Sequence, residues 1–157
     1  MRIFAVDPGP EQSGWCWYED GKVLEAGCDG NLVLRFRLGS TLRMRDELRI
    51  AIEMIQSYGQ VVGASTFQTC VEIGRFLQIA GEDRATLIPR PTVKNVLCGT
   101  SRAKDKDVWQ AIKDRFGGES AVGTKKAPGP LYGVKSHARM ALAVALAYEQ
   151  MEKEAKT

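Results

Sequence analysis

Three short β-rich segments separated by turn signals open the chain. RIFAVD at residues 2–7 runs into Asp7-Pro8-Gly9, and the segments SGWCWYE and KVLEAGC then flank Asp20-Gly21. Asp-Gly between two such runs is a strong signal for a two-residue β-hairpin turn. The spacing therefore predicts three strands joined as an antiparallel meander, and it restricts the chain to folds that begin on a sheet.

Strand and helix patterns alternate after the meander. Residues 31–45 mix apolar residues with arginine at irregular spacing, which predicts a short helix and a turn. LRIAIEMI is a continuous β-branched run typical of a strand buried on both faces, and ATLIP predicts a fifth strand. Helices are expected over about 64–80, 91–99, 104–116 and 136–153. This order predicts an α/β fold with a five-stranded mixed sheet flanked by helices.

Length and composition are those of one domain over residues 1–157. The composition, 44% apolar and 26% charged, is that of an ordinary globular protein. Residues 117–135 hold five glycines, two prolines and the adjacent Lys125 and Lys126, which predicts a long irregular basic loop. The longest apolar runs are far shorter than the roughly 20 residues of a membrane span, so we expect a cytoplasmic protein with no membrane partner.

The four cysteines do not have the spacing of zinc ligands. Cys16, Cys28, Cys70 and Cys98 are widely separated and form neither CxxC nor CxxH. Free cysteine is among the most buried residue types. We therefore expect reduced, mostly buried thiols.

Basic residues form groups although the net charge is only +3. Two groups lie in the second half of the chain, with Arg102, Lys104 and Lys106 in the first and Lys125, Lys126 and Lys135 in the second. Such groups are either solvated faces or binding sites for a polyanion, and the sequence leaves both interpretations open.

Two acidic residues end predicted strands. Asp7 is the last residue of the first strand, and Glu53 falls near the end of the fourth. Ligand sites in open α/β sheets lie at the carboxyl ends of strands, where two buried carboxylates repel each other unless a cation lies between them. Hard oxygen ligands of this kind suit Mg²⁺. The alternative is that each acid caps a strand or pairs with an arginine.

The single histidine begins the most apolar predicted helix. Ser136 before it is a good N-cap residue, and helical spacing places His137 on the expected buried stripe with Met140, Ala141, Val144 and Tyr148. A helix N-terminus disfavours the imidazolium, so a neutral ring able to bind a metal is expected. His137 is therefore either a metal ligand or a packed core or capping residue.

Four segments together resemble a known family. IFAVDPGPEQSGWCWYEDGKVLEAG, AIEMI, PTVKNVLCGTSRAKDKDVWQAI and HARMALAVAL are similar, in this order, to segments of the RuvC-type Holliday junction resolvases of the RNase H-like superfamily. Small phage and prophage members have stretches similar to IEM, GRF and GTKKAPGPLYG. The resemblance implies a single RNase H-like nuclease domain, acting in a bacterial or phage-infected cell.

The resemblance also implies which residues hold the metal. By position, Asp7, Glu53 and His137 are the implied catalytic residues and the ligands of Mg²⁺, with Mn²⁺ as the alternative ion. RuvC proteins usually carry a further Asp three residues after the third ligand, where this chain has Met140. A thioether does not replace a carboxylate as a Mg²⁺ ligand. The site therefore binds one ion or a weak second one, cleaves slowly, or recruits another acid, for which the candidates are Glu11, Asp105 and Glu72.

The activity implied is that of a structure-selective, metal-dependent endonuclease. It would hydrolyse phosphodiesters in branched DNA, in Holliday junctions or related phage intermediates, as a homodimer without a nucleotide cofactor. The DNA-binding residues implied are Arg102, Lys104, Lys125 and Lys126. A junction-binding protein with weak or lost nuclease activity is the alternative, because of Met140. A phosphate-binding protein of the actin and sugar-kinase type is a third, although the chain is short for two such domains.

Overall fold

A computed structural model of the chain describes residues 1–44, 47–57, 59 and 61–157. The strands within these ranges are β1 Arg2–Asp7, β2 Gln12–Glu19, β3 Lys22–Gly30, β4 Arg49–Met54 and β5 Ala85–Pro89. The α-helices are α1 Asn31–Met44, α2 Ala64–Ala80, α3 Arg90–Cys98, α4 Asp105–Arg115 and α5 His137–Glu154. No helix in these ranges has the length and apolar character needed to cross a membrane.

The strands form one mixed sheet in the order β3-β2-β1-β4-β5. Strands β1, β2 and β3 pair antiparallel, whereas β4 is parallel to both β1 and β5. Asp20 and Gly21 between β2 and β3 both have positive φ, as the tight hairpin turns favoured by Asp-Gly require. The predicted five-stranded mixed sheet, with three antiparallel strands and two further strands, is confirmed.

Apolar side chains of β1 alternate between the two faces of the sheet. Ile3 and Ala5 join a core cluster beneath α3, α4 and α5, and Phe4 and Val6 join a second cluster beneath α1 and α2. Because β1 is covered on both faces, Asp7 at its C-terminal end is buried. Every residue of α5 from 141 to 149 is buried, and its small alanines allow the helix to lie close on the sheet.

Two expectations about local structure are wrong or incomplete. Helix α1 runs over Asn31–Met44 with no turn in its middle, because Leu34 and Leu38, four residues apart, hold it on the sheet. The last residue of that predicted segment, residue 45, lies outside the described residues. The loop at 117–135 contains a short 3₁₀ helix at Glu119–Ala121 and is anchored by buried Leu131, whose amide donates to the carbonyl of Ala121 at 2.8 Å.

The cysteines are less buried than expected. All four are free thiols, but only Cys16 on β2 is fully buried. Cys28 lies on the edge strand β3 and Cys70 on the outer side of α2, and both are exposed. The prediction of mostly buried thiols is therefore wrong.

Candidate active site

Three elements bring the predicted metal ligands to one edge of the sheet. Val6 and Ile52 are paired on parallel strands β1 and β4, so Asp7 and Glu53, the residues that follow them, lie side by side near the strand ends. His137 is the first residue of α5. All three side chains line the same open cleft. The structure thus brings together the three residues that the sequence singles out.

His137 projects into the cleft and not into the core. Its Nδ1 atom lies 3.0 Å from Oδ2 of Asp7, and its side chain is 55% exposed. The expectation that the ring shares the buried stripe of α5 is wrong, because the helix only reaches the sheet from Ala138 onward. With the proton on Nδ1 the ring donates to Asp7, whereas with the proton on Nε2 the Nδ1 lone pair faces Asp7 and could share a cation with it.

Gly14 allows α5 to begin at this point. It pairs with Asp7 across β1 and β2, and a Cβ atom built on it would collide with the carbonyl group of His137 and lie 2.7 Å from the His137 Cβ. The sequence analysis overlooked this residue. A glycine inside a strand pattern often marks a close backbone approach, so the signal was available.

Ser136 fixes the direction in which the helix starts. It has φ 46° and ψ −128°, a combination that non-glycine residues rarely adopt, and its side chain makes no capping hydrogen bond. The predicted N-cap position is therefore correct but the predicted capping role is wrong. The backbone carbonyl of Ser136 instead accepts a hydrogen bond from the amide of Arg139 at 3.0 Å.

A buried polar clamp holds the loop that follows Asp7. Asn31 donates through Nδ2 to the carbonyl of Gly9 at 2.9 Å. Ser13 donates through Oγ to Oδ1 of Asn31 at 2.6 Å and accepts from the amide of Gly9 at 3.2 Å. No sequence pattern predicts this clamp. Asn31 follows β3, and only the folded meander brings it next to Gly9 and Ser13.

The two carboxylates are strongly desolvated. Asp7 and Glu53 are 5% and 6% exposed. Burial raises the pKa of Asp7, although the hydrogen bond with His137 opposes this. Burial and the nearby charge of Asp7 raise the pKa of Glu53 to about 7. The surroundings of the two carboxylates do not fully compensate their negative charge. A bound cation would supply the missing positive charge.

Arg90, the first residue of α3, lies at the centre of the cleft. Its Nη1 donates to Oε1 of Glu53 at 2.9 Å, and its Nη2 donates to both carboxylate oxygens of Asp105 at 3.0 Å. Nη2 also lies 3.7 Å from the sulfur of Met140. Glu53 therefore does pair with an arginine, as the alternative interpretation held. Arg90 was not among the predicted site residues, although its place directly after β5 puts it at the same sheet edge.

The three candidates for an additional acid lie in different surroundings. Asp105 lines the cleft. Burial raises its pKa, but the hydrogen bond and the charge of Arg90 outweigh burial, and the pKa lies below its usual range. Glu11 is exposed and is not among the residues lining the cleft. Glu72 bonds to Arg35 of α1 and Arg75 of α2. Of the three, the structure brings only Asp105 to Glu53, through Arg90.

The predicted DNA-binding residues lie at different distances from the acids. Arg102 lines the cleft beside Lys106. Lys104 is the exposed N-cap residue of α4, and its amide donates to Oδ2 of Asp107 at 2.8 Å. Lys125 and Lys126 are exposed in the loop between α4 and α5 and do not line the cleft.

The donors present fit one hard divalent cation. Asp7 and Glu53 supply carboxylate oxygens and His137 supplies an imidazole, whereas the neighbouring positions hold a guanidinium and a thioether. Within the described ranges, no three His, Cys, Asp or Glu side chains already converge as an ion site.

Comparison with known proteins identifies the fold. No protein-family model matches the chain, and no curated protein matches its sequence. The structure of Thermus thermophilus RuvC is similar, with a TM-score of 0.71 and 21% identity over 99% of this chain and 97% of that chain. T. thermophilus RuvC in complex with Holliday junction substrate is similar with a TM-score of 0.69 and 22% identity, over 97% and 96% of the two chains. The chain therefore has the RuvC-type RNase H-like fold.

The close contact at Gly14 predicts a selective loss of stability. Gly14→Ala forces α5 away from β2, which we expect to lower the free energy of unfolding by about 1–3 kcal/mol or more. Gly30→Ala on β3 is the control, because an added Cβ meets nothing within 4 Å there. Urea denaturation of both variants measures the difference, and equal stabilities would contradict the assigned contact.

The burial of Glu53 predicts a pH-dependent stability in the absence of metal. Between about pH 4.5 and about 7 the folded protein keeps a proton on Glu53 that the unfolded chain has released. The proton retained on Glu53 stabilises the folded state. This stabilisation is complete below about pH 4.5 and is lost as the pH rises through about 7.

Glu53→Gln removes the titrating carboxyl group. The free energy of unfolding should then fall less between pH 5 and pH 8 than in the parent chain, by on the order of 3 kcal/mol. Exposed Glu47→Gln should keep the full fall. Urea denaturation in EDTA at both pH values makes the comparison, and identical falls in the two variants would contradict the assignment.

Proposed function

We propose that this chain is a structure-selective, divalent-metal-dependent endonuclease that hydrolyses phosphodiesters in branched DNA. The observation that carries the proposal is the buried pair Asp7 and Glu53, beside His137 in an open cleft. The RuvC-type fold supports it, because a solved RuvC of this fold is in complex with Holliday junction substrate. Holliday junctions or related phage intermediates are the substrates we infer.

Asp7, Glu53 and His137 would hold the ion in this proposal. Mg²⁺ suits two carboxylate oxygens, and Mn²⁺ would substitute for it. When bound, such an ion supplies positive charge that makes water a better nucleophile and stabilises the developing negative charge on phosphate. Nδ1 of His137 and Oδ2 of Asp7 lie 3.0 Å apart, and a shared ion would replace the hydrogen bond between them.

The reaction itself is a hydrolysis without redox chemistry. The oxygen of water bonds to phosphorus while the bond from phosphorus to one bridging oxygen breaks. The proton released by the water ends on a buffer base or on the leaving oxygen. Burial of Asp7 and Glu53 keeps bulk water from their carboxylates, so their charge acts on the cleft with little screening.

Basic side chains around the cleft would bind the DNA backbone. Arg102 lines the cleft itself, and Lys104 lies at the exposed start of α4. Lys125 and Lys126 extend the positive charge along the loop that precedes α5. Contacts of this kind to phosphates release counterions, so junction affinity should fall steeply as salt rises.

We propose that two copies of the chain pair through α1 and α2. The outer sides of these helices expose large apolar side chains, among them Leu32, Val33, Phe36, Phe67 and Val71. Exposed apolar patches commonly mark protein interfaces. A second copy is the occupant we infer, because a symmetric junction requires two nicks and a two-fold dimer supplies two clefts.

A second candidate function is junction binding with weak or lost cleavage. The observation in its favour is Met140, whose sulfur faces Arg90 where the resembled family usually has a carboxylate. The same cleavage experiment separates the two candidates.

A cleavage assay on an immobile four-way junction and on a linear duplex of matched sequence tests the nuclease proposal. The chain should nick the junction in Mg²⁺ or Mn²⁺ and leave the duplex intact. Asp7→Asn should lower the cleavage rate about a thousandfold, because several kcal/mol of transition-state stabilisation depend on the ion that Asp7 would hold. Junction affinity should stay within a few-fold, and exposed Asp83→Asn should cleave normally.

Binding measured in the same experiment distinguishes the alternatives. Lys125→Gln/Lys126→Gln should weaken junction binding and lower its salt dependence more than the exposed pair Lys22→Gln/Lys156→Gln does. Tight junction binding without nicking in either metal would favour the second candidate. Absence of junction binding would contradict both.

Sedimentation velocity tests the dimer. The chain should sediment as a dimer at micromolar concentration, and Phe36→Glu should yield a monomer because it buries a charge in the apolar contact. Leu24→Glu on the edge strand β3, also at an exposed apolar residue, is the matched control and should remain dimeric. A monomeric parent chain, or a dimeric Phe36→Glu variant, would contradict this interface.

A further inference from the structure

The guanidinium of Arg90 joins three groups of the cleft. It donates to Glu53 at 2.9 Å and to both oxygens of Asp105 at 3.0 Å, and it lies 3.7 Å from the sulfur of Met140. Its side chain is 36% exposed, so one part faces the open cleft while the rest is packed. A single fixed cation thus lies between the buried acid of the site and the thioether.

Met140 leaves no ligand for a second hard cation on this side of the cleft. It is three residues after His137, so both side chains lie on the same side of α5 and line the cleft. The thioether is neutral and soft, and a Mg²⁺ ion does not bind it in place of a carboxylate. The guanidinium of Arg90 lies 3.7 Å from its sulfur.

Asp105 is held in ion pairs with two cationic side chains. Both of its oxygens accept from Nη2 of Arg90, and Nζ of Lys94 lies 3.7 Å from Oδ1. Two cations therefore already balance this carboxylate. Its role is that of a positioning residue, because it fixes the guanidinium against Met140.

We propose that Arg90 supplies the second positive charge of the cleft in place of a second divalent ion, so that the chain binds one ion between Asp7, Glu53 and His137. The proposal rests on the nuclease function proposed above and deepens it. Arginine is always charged, and it repels a second cation brought to the Met140 side. Its planar donors match the oxygens of a phosphate, so the same group would neutralise the bound DNA strand.

Counting bound Mn²⁺ tests this without relying on cleavage. The number of ions per chain is obtained by titration calorimetry and from the electron paramagnetic resonance signal of free Mn²⁺. The parent chain and Arg90→Lys should each bind one ion, because both keep a positive charge. Arg90→Gln/Met140→Asp removes the charge and adds a carboxylate, and should bind two ions. Arg43→Gln, at an exposed arginine in the last turn of α1, is the matched control and should bind one.

The single variant Arg90→Gln separates an electrostatic role from a structural one. Loss of the neighbouring positive charge should raise the Mn²⁺ affinity of the first site about tenfold. Junction cleavage at saturating Mn²⁺ should fall about a hundredfold, because a donor to the reacting phosphate is lost. If Arg90 had only a structural role, the substitution would lower both the Mn²⁺ affinity and the rate of junction cleavage. The thermal melting curve shows whether the variant is folded.

The outcomes distinguish this inference from the nuclease proposal. Two ions on the parent chain, or one ion on Arg90→Gln/Met140→Asp, would overturn the role of Arg90 while leaving the nuclease function intact. One ion on the parent chain, two on the double variant and no junction cleavage by the parent would contradict the nuclease function and support the ion count.

Discussion

Two carboxylates buried side by side are the constraint on which the cleft depends. Asp7 and Glu53 end neighbouring parallel strands in the interior of the sheet, where their mutual repulsion is weakly screened. Their partners in the structure are His137, which contacts Asp7, and Arg90, which donates to Glu53. Helices α3 and α5, which carry these partners, are held in place by apolar packing on the sheet.

Tight local packing makes the arrangement possible. Gly14 lets the start of α5 approach β2, so His137 lies over Asp7. The clamp between Asn31, Ser13 and Gly9 holds the loop beside the same strand end. These contacts limit how far the side chains of Asp7 and His137 can move within the cleft.

The sequence predicted the sheet and the proximity of Asp7, Glu53 and His137, because strand ends and turn residues follow local rules. Asp20-Gly21 fixed the hairpin, and the buried run of β4 located Glu53. Arg90 could not be predicted in the same way. Its contacts join residues 37, 15 and 50 positions away in sequence, which only the folded chain brings together. The exposure of His137 was missed for a related reason, since helical periodicity does not reveal where a helix first meets the sheet.

The central claim is that the cleft is a one-ion site completed by an arginine. Anomalous diffraction from crystals grown with Mn²⁺ tests it most directly. The account predicts one anomalous peak in contact with Asp7, Glu53 and His137, with the guanidinium of Arg90 beside Met140. A second peak next to Met140, or no peak between Asp7 and Glu53 at saturating Mn²⁺, would contradict it.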